Sequence, residues 1–203
     1  MTSIRLAFIA LLSLTPAWAF AQNAPPASVR ATVESVAADG ASLSVRTRGG
    51  DERTVRLTPK TRFVLVAPAS LTDVKPGAFV GVAAAPGEAG QLKALEVHIF
   101  PESMRGSGEG SRPFDLGPGS TMTNGTVSAR VDAVNGPALT VTYKGGEQTI
   151  VVDPKTPIVT FEPAAATDVK PGAAIVARGP KQADGSVEAA FFLVGKDGLV
   201  PPL

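Results

Sequence analysis

The chain has 203 residues, with 19 Lys and Arg against 18 Asp and Glu, one His and no Cys. Such balance argues against a nucleic-acid partner, whose affinity would come mainly from clustered Lys and Arg neutralising phosphates. The lack of cysteine excludes disulfide staples and a lipid-bearing cysteine, so stability must come from packing and turns.

Arg5 precedes an apolar run from Leu6 to Leu14, closed by Ala17-Trp18-Ala19 and Ala19-Phe20-Ala21. Both closing triplets are small-x-small cleavage patterns, and together they predict a secretory signal peptide over residues 1–21, cut near Ala21/Gln22. The mature protein is then periplasmic or secreted. The run is too short for a membrane span, which needs roughly 20 residues, and no later segment is a better candidate. Loss of the leader removes Arg5 and the single Trp, leaving 18 basic against 18 acidic residues.

Two homologous units follow, at about 28–100 and 125–195. Val29-Ala31-Val33-Val36 is set against Val127-Ala129-Val131-Val134, and Asp39-Gly40 against Asn135-Gly136. Leu43-Val45 then meets Leu139-Val141, Val55-Leu57 meets Ile150-Val152, and Phe63 meets Ile158. The closing segments are Leu92 to Phe100 and Val187 to Val194. Apolar and polar residues alternate at period two, with breaks at Asp-Gly, Asn-Gly and Gly-Gly, which predicts short strands joined by hairpins. In the first strand of each unit the period slips, Val33 to Val36 and Val131 to Val134 being three apart. A bulge at each place restores the face and bends the strand.

The heptapeptide Thr-Asp-Val-Lys-Pro-Gly-Ala occurs at 72–78 and again at 167–173. Pro76-Gly77 and Pro171-Gly172 carry type II turn chemistry, Pro fixing φ and Gly accepting positive φ. Asp73 or Asp168 is expected to cap a short helical turn beginning there. The stretch reads as a corner delivering the chain into the fourth main strand, with Lys75 and Lys170 solvated rather than ligand-binding.

Five or six short strands with one corner between the third and fourth fit a small five-stranded Greek-key barrel of the oligonucleotide/oligosaccharide-binding (OB) type. The expected fold is all-β, two tandem OB-like Greek-key barrels joined by an irregular Gly/Pro-rich insert at 101–124. Whether the two units close separate barrels or share one sheet is not readable from spacing. The hairpin glycines, Thr-x-Phe/Ile, Val-x-Pro-Gly-x-x-Val and the closing Ala-x-x-Val strand resemble the small repeats of bacterial exported proteins grouped as a domain of unknown function, often in tandem. That resemblance covers both units. It implies barrel architecture and an envelope location, and brings no activity and no catalytic residues.

The insert has no counterpart after Val194. Met104, Phe114, Leu116 and Met122 are apolar anchors able to pin it over a barrel as an ordered strap, the alternatives being a flexible linker or a ligand-contacting loop. Arg105, Glu109, Arg112 and Asp115 are the candidate ligand-binding residues. Gly106, Gly108 and Gly110 would free backbone N–H groups to point inward beside the two arginines, making an anion site. His98, Met104 and Met122 are a candidate soft-metal set of the kind suited to Cu(I), although His98 aligns with Leu193 and reads equally as a strand residue.

No catalytic residue is expected. The single His lacks a Gly-x-Ser-x-Gly elbow, and Glu102, Glu109 and Asp115 sit where catalytic distances are poorly held. Phe63, Phe79, Phe161 and Phe192 fall in strands as core, leaving few aromatics for base or sugar stacking. The expected function is an exported, non-catalytic binding or structural interaction module of the bacterial cell envelope. The alternative is a periplasmic copper-binding protein or chaperone. No cofactor is expected, and the partner is an envelope protein or a small anionic ligand, without nucleic acid.

Overall fold

Period-two alternation becomes strands in both repeats. The computed structural model describes residues 26–87, 90–132 and 136–202, and the expected leader lies outside them. The first repeat forms β1 (Ala27–Val36), β2 (Ser42–Thr47), β3 (Glu52–Arg56), β4 (Arg62–Pro68), β5 (Phe79–Pro86) and β6 (Leu92–Ile99). The insert contributes β7 (Gly110–Pro113). The second repeat forms β8 (Thr121–Val131), β9 (Ala138–Tyr143), β10 (Gly146–Val151), β11 (Ile158–Pro163), β12 (Ala174–Gly179), β13 (Val187–Glu188) and β14 (Phe191–Gly195). No helix of the described residues is long and apolar enough to cross a membrane.

The chain is all-β, and its strands close into small barrels, but the barrels are not the repeats. In one ring β1 pairs with β2, β2 with β3, and β3 runs parallel to β13. The chain continues from β13 into β14, which pairs with β12, and β12 returns to β1. The other ring repeats this with β8, β9, β10, β6 and β5. Each ring therefore takes three strands from one repeat and its last strands from the other. Segments 28–100 and 125–195 are the units of sequence, whereas the units of folding are composites.

The two interiors record the exchange. Val33, Val45 and Val55 pack with Ile175, Phe192 and Val194 in the first ring. Val80, Val82 and Val97 pack with Leu139, Val141 and Ile150 in the second. Each fully buried side chain of this kind contributes about 1.5–3 kcal/mol, so a repeat separated from its partner loses about half of both interiors. The rings join through β4 and β11, antiparallel neighbours centred on Val66 opposite Phe161. Those two residues are each other's counterparts, which places a local two-fold axis at their pair.

The duplicated heptapeptide makes the exchange joint. Ala78 N donates to Lys75 O at 3.0 Å with Gly77 at φ 85°, and Ala173 N donates to Lys170 O at 3.0 Å with Gly172 at φ 87°. These are the expected Pro-Gly turns. Gly77 N then donates to Val127 O at 2.8 Å, and Val127 N to Ala78 O at 2.9 Å. Gly172 N donates to Val33 O at 2.8 Å, and Val33 N to Ala173 O at 2.9 Å. These last four bonds run to the opposite repeat. The acid works from the other end of its helical turn than expected: Asp73 and Asp168 are the last residues of one-turn 3-10 helices and accept from the backbone N–H of Ser70 and Ala165.

The first-strand alignment is corrected by four residues. Val33 lies opposite Val45 and Val127 opposite Val141, while Ala31 lies opposite Ile175 and Gly125 opposite Val80. Residues 31–33 thus correspond to 125–127. Val33 and Val127 are each 1% exposed, whereas Val131 is 57% exposed. A slip of four leaves every side chain on the same face, so alternation alone cannot reject it. The bulge in β1 falls between Val33 and Ser35, as expected. In β8 it falls between Val127 and Ala129 rather than at Val131 to Val134, and Val134 is outside the described residues.

Candidate functional site

Strands have two faces, and the faces turned away from the ring interiors meet between the barrels. Val64 and Val66 of β4, Val159 and Phe161 of β11, Val176 of β12 and Leu193 of β14 form this third apolar layer, joined by Ala83 and Met122. The insert closes over it. β7 pairs with β8, and Met104, Phe114 and Leu116 pack against the layer.

Three of the four candidate ligand residues pin this strap down. Asp115 accepts two hydrogen bonds from Arg30 of β1, at 2.7 and 2.9 Å, and that pairing holds its carboxyl below the ordinary value. Glu109 accepts from Lys144 N at 2.9 Å in the β9–β10 hairpin. Arg105 donates to Glu102 and, at 3.0 Å, to Gly77 O in the exchange joint. Within the glycine run the N–H groups of Ser107 and Glu109 are taken up by Met104 O and Gly106 O.

Beneath the strap lies a cavity of about 490 Å³. Phe63, Phe100, Phe161, Phe191, Met104 and Met122 supply much of its apolar wall, and Arg62, Arg112, Arg178, Asn124 and His98, with Ser103 and Ser107 of the strap, its polar groups. Arg112 is the one candidate ligand residue of the strap found there. The structure also brings His98, Met104 and Met122, the soft-metal set, to this single cavity. Among the described residues no group of three or more His, Cys, Asp or Glu could hold a metal ion, so any metal here would rest on the thioethers.

The polar groups are under-satisfied. Glu96 and His98, two apart on β6 and on one face, are 1% and 2% exposed. Glu96 Oε1 lies 3.1 Å from His98 Nε2, yet neither Glu96 oxygen nor Nε2 has a well-directed hydrogen bond. Asn124 Nδ2 donates to Ser107 O at 2.9 Å, while its Oδ1 is buried without a partner. Arg178 lies over the Phe114 ring at 5.5 Å, with Nε and Nη2 buried and unbonded. Burial, then repulsion from Arg30, pushes its guanidinium below the ordinary value. Buried polar atoms are normally paired, and among the described residues six of the eight exceptions belong to these four side chains, the others being Ser28 Oγ and Thr121 Oγ1.

The second repeat is an internal control for these residues. The pairing registers set Glu96 and His98 against Phe191 and Leu193, Gly81 against Val176, Arg178 against Ala83, and Asn124 against Arg30. The same strands fold around apolar side chains at the matching positions of Glu96, His98 and Arg178, so the fold itself does not require these three. Gly81 has a spatial reason: a Cβ there would stand 2.8 Å from Asn124 Oδ1 and 3.0 Å from the Phe100 ring. Glu96, Asn124, Arg62 and Arg178 were not singled out from sequence. A polar residue facing an apolar one in the aligned repeat is the signal that marks Glu96 and Arg178, as it marks His98.

The chain belongs to the family described as Domain of unknown function (DUF5666), whose profile matches residues 30–98 and 124–190. The matches begin at Arg30 and Asn124, the offset that the strand registers give. No curated protein matches the chain, and no solved structure does.

Proposed function

We propose that this two-repeat DUF5666 protein is an exported, non-catalytic binding module that captures a small ligand in the cavity between its barrels. The observation that carries the reading is the concentration of unsatisfied polar atoms on His98, Asn124 and Arg178 in the wall of a strap-covered cavity, and on Glu96 beside His98. Its volume lies within the ordinary range of small-molecule sites, about 300–1,000 Å³, and apolar walls with a few fixed polar groups are their usual make-up. Binding rather than catalysis is favoured by the cavity's arginines, which hold anions but move no protons at neutral pH. The expected leader and the resemblance to bacterial exported repeats support an envelope location.

The strap offers a direct test. Residues 103–119 are replaced by a Gly/Ser linker of about six residues, long enough to join the end of β6 to the start of β8. Both ring interiors lie outside the strap, so far-UV circular dichroism is expected to be unchanged. The uncharged dye Nile red should brighten with the intact mature protein and stay dim with the strapless one. Equal brightening in both defeats the cavity reading.

A second reading, a soft-metal binder, is favoured by His98, Met104 and Met122 sharing the cavity wall. Titration with Cu(I) and Ag(I) decides it: binding that is absent, or indifferent to His98→Ala and Met104→Ala, removes it.

A further inference from the structure

Arginines in this chain normally have an acidic partner. Arg30, Arg46, Arg53, Arg56, Arg105 and Arg130 each form an ion pair. Arg48, Arg62, Arg112 and Arg178 form none among the described residues; Arg48 donates instead to Pro201 O at 2.6 Å, and the other three line the same cavity. A guanidinium held away from water without a counter-charge is costly, and Arg178 has two buried N–H-bearing nitrogens with no acceptor. Its counterpart Ala83 shows that the strand position needs no cation. Asp115, then Glu96, offsets part of this charge, but neither is in the cavity wall, where His98 stands 3.1 Å from Glu96 Oε1. The acid-free wall therefore sets three arginines among neutral polar groups such as Asn124, Ser103 and Ser107 and aromatic or aliphatic side chains.

We infer that the ligand is an organic anion with an apolar body, its carboxylate taken by Arg178 with Arg62 and Arg112, and its hydrocarbon or aryl part lying against Phe161, Phe191 and Met122. The planar guanidinium fork matches a carboxylate bidentately, and Arg178, a lining residue whose Nε and Nη2 find no acceptor in the protein, is the arginine that most lacks such a partner. Inorganic phosphate would meet the same arginines but leave the aromatic wall unused. The inference rests on the cavity reading and narrows it to one ligand chemistry.

The test is isothermal titration of the full mature protein with octanoate, octanol and inorganic phosphate as separate probes. Octanoate is expected to bind at one site, and octanol and phosphate each about tenfold or more weaker. Arg178→Met should weaken octanoate by about 10- to 100-fold, the range of a charge-assisted hydrogen bond. Arg178→Lys should recover only part of that, because a point charge lacks the fork. Arg62→Gln, at an exposed position, should weaken octanoate without threatening the fold, and Arg53→Met, outside the cavity, should change nothing. Octanol binding as well as octanoate, with Arg178→Met silent, overturns the anion inference while the Nile red result still stands. Phosphate binding as well as octanoate overturns the apolar body. No octanoate binding overturns the inference outright.

Discussion

Glu96 and His98 give the sharpest prediction, because the second repeat supplies the replacement. His98→Leu installs the residue found at the matching position, Leu193, but leaves the Glu96 carboxylate, 1% exposed, without the ring 3.1 Å away. Leaving a buried polar group without its polar neighbour costs about 1–3 kcal/mol. Glu96→Met leaves His98 buried in the same way, at a similar cost of about 1–3 kcal/mol. The double variant Glu96→Met/His98→Leu removes both polar groups, and replacing both partners by apolar residues of similar size is nearly neutral or stabilising. The cycle therefore carries a coupling of about 2 kcal/mol or more. The single Trp lies in the expected leader, so urea unfolding is followed by far-UV circular dichroism. With urea slopes of about 1–3 kcal/mol/M, His98→Leu lowers the midpoint by about 0.3–3 M and the double variant restores it. Additivity of the two single effects within about 0.5 kcal/mol would refute the reasoning.

Gly81→Val copies Val176 into a place where a Cβ meets Asn124 Oδ1 and the Phe100 ring; overpacking should cost about 1–3 kcal/mol, and an unchanged thermal midpoint would show that both neighbours give way freely. Asp115→Asn loosens the strap: the pair with Arg30 is half exposed on the acid side, so solvent screening limits the loss to about 1 kcal/mol. Because Arg30 depresses the folded Asp115 carboxyl, this stabilisation is present above the ordinary aspartate value and is lost as pH falls through the depressed one. Protease cleavage within 103–116 should rise over that acid range in the wild type but not in Asp115→Asn, and parallel curves would sink the assignment. Cut between the repeats at Gly108, fragments 22–108 and 109–203 should each fail to unfold cooperatively as monomers and should form one folded complex when mixed. A cooperative monomeric fragment contradicts the strand exchange.

Much of the site was legible in part. His98, Met104, Met122 and Arg112 were singled out by type, and all four line the cavity. Arg105, Glu109 and Asp115 were singled out on the same grounds but hold the strap instead, because whether a loop charge meets a ligand or a neighbouring strand depends on residues far away in the chain. Arg178 and Glu96 lie inside runs that read as ordinary strand, where a polar residue looks solvent-facing by alternation. Here the outward face of the strand is covered by a second barrel.

Alternation of side chains and turn chemistry are local, and they determined the strands, the β1 bulge, the Pro-Gly corners and the duplication. Which strand closes which ring is a choice between near-identical surfaces: two equivalent repeats present the same hydrophobic face and the same edge to a closing strand, so no local preference separates closure within a repeat from exchange. Only tertiary packing, with the corners bonded to Val33 and Val127 of the opposite repeat and Val66 set against Phe161, decided the exchange. The same packing placed the arginines and the Glu96–His98 pair around one cavity.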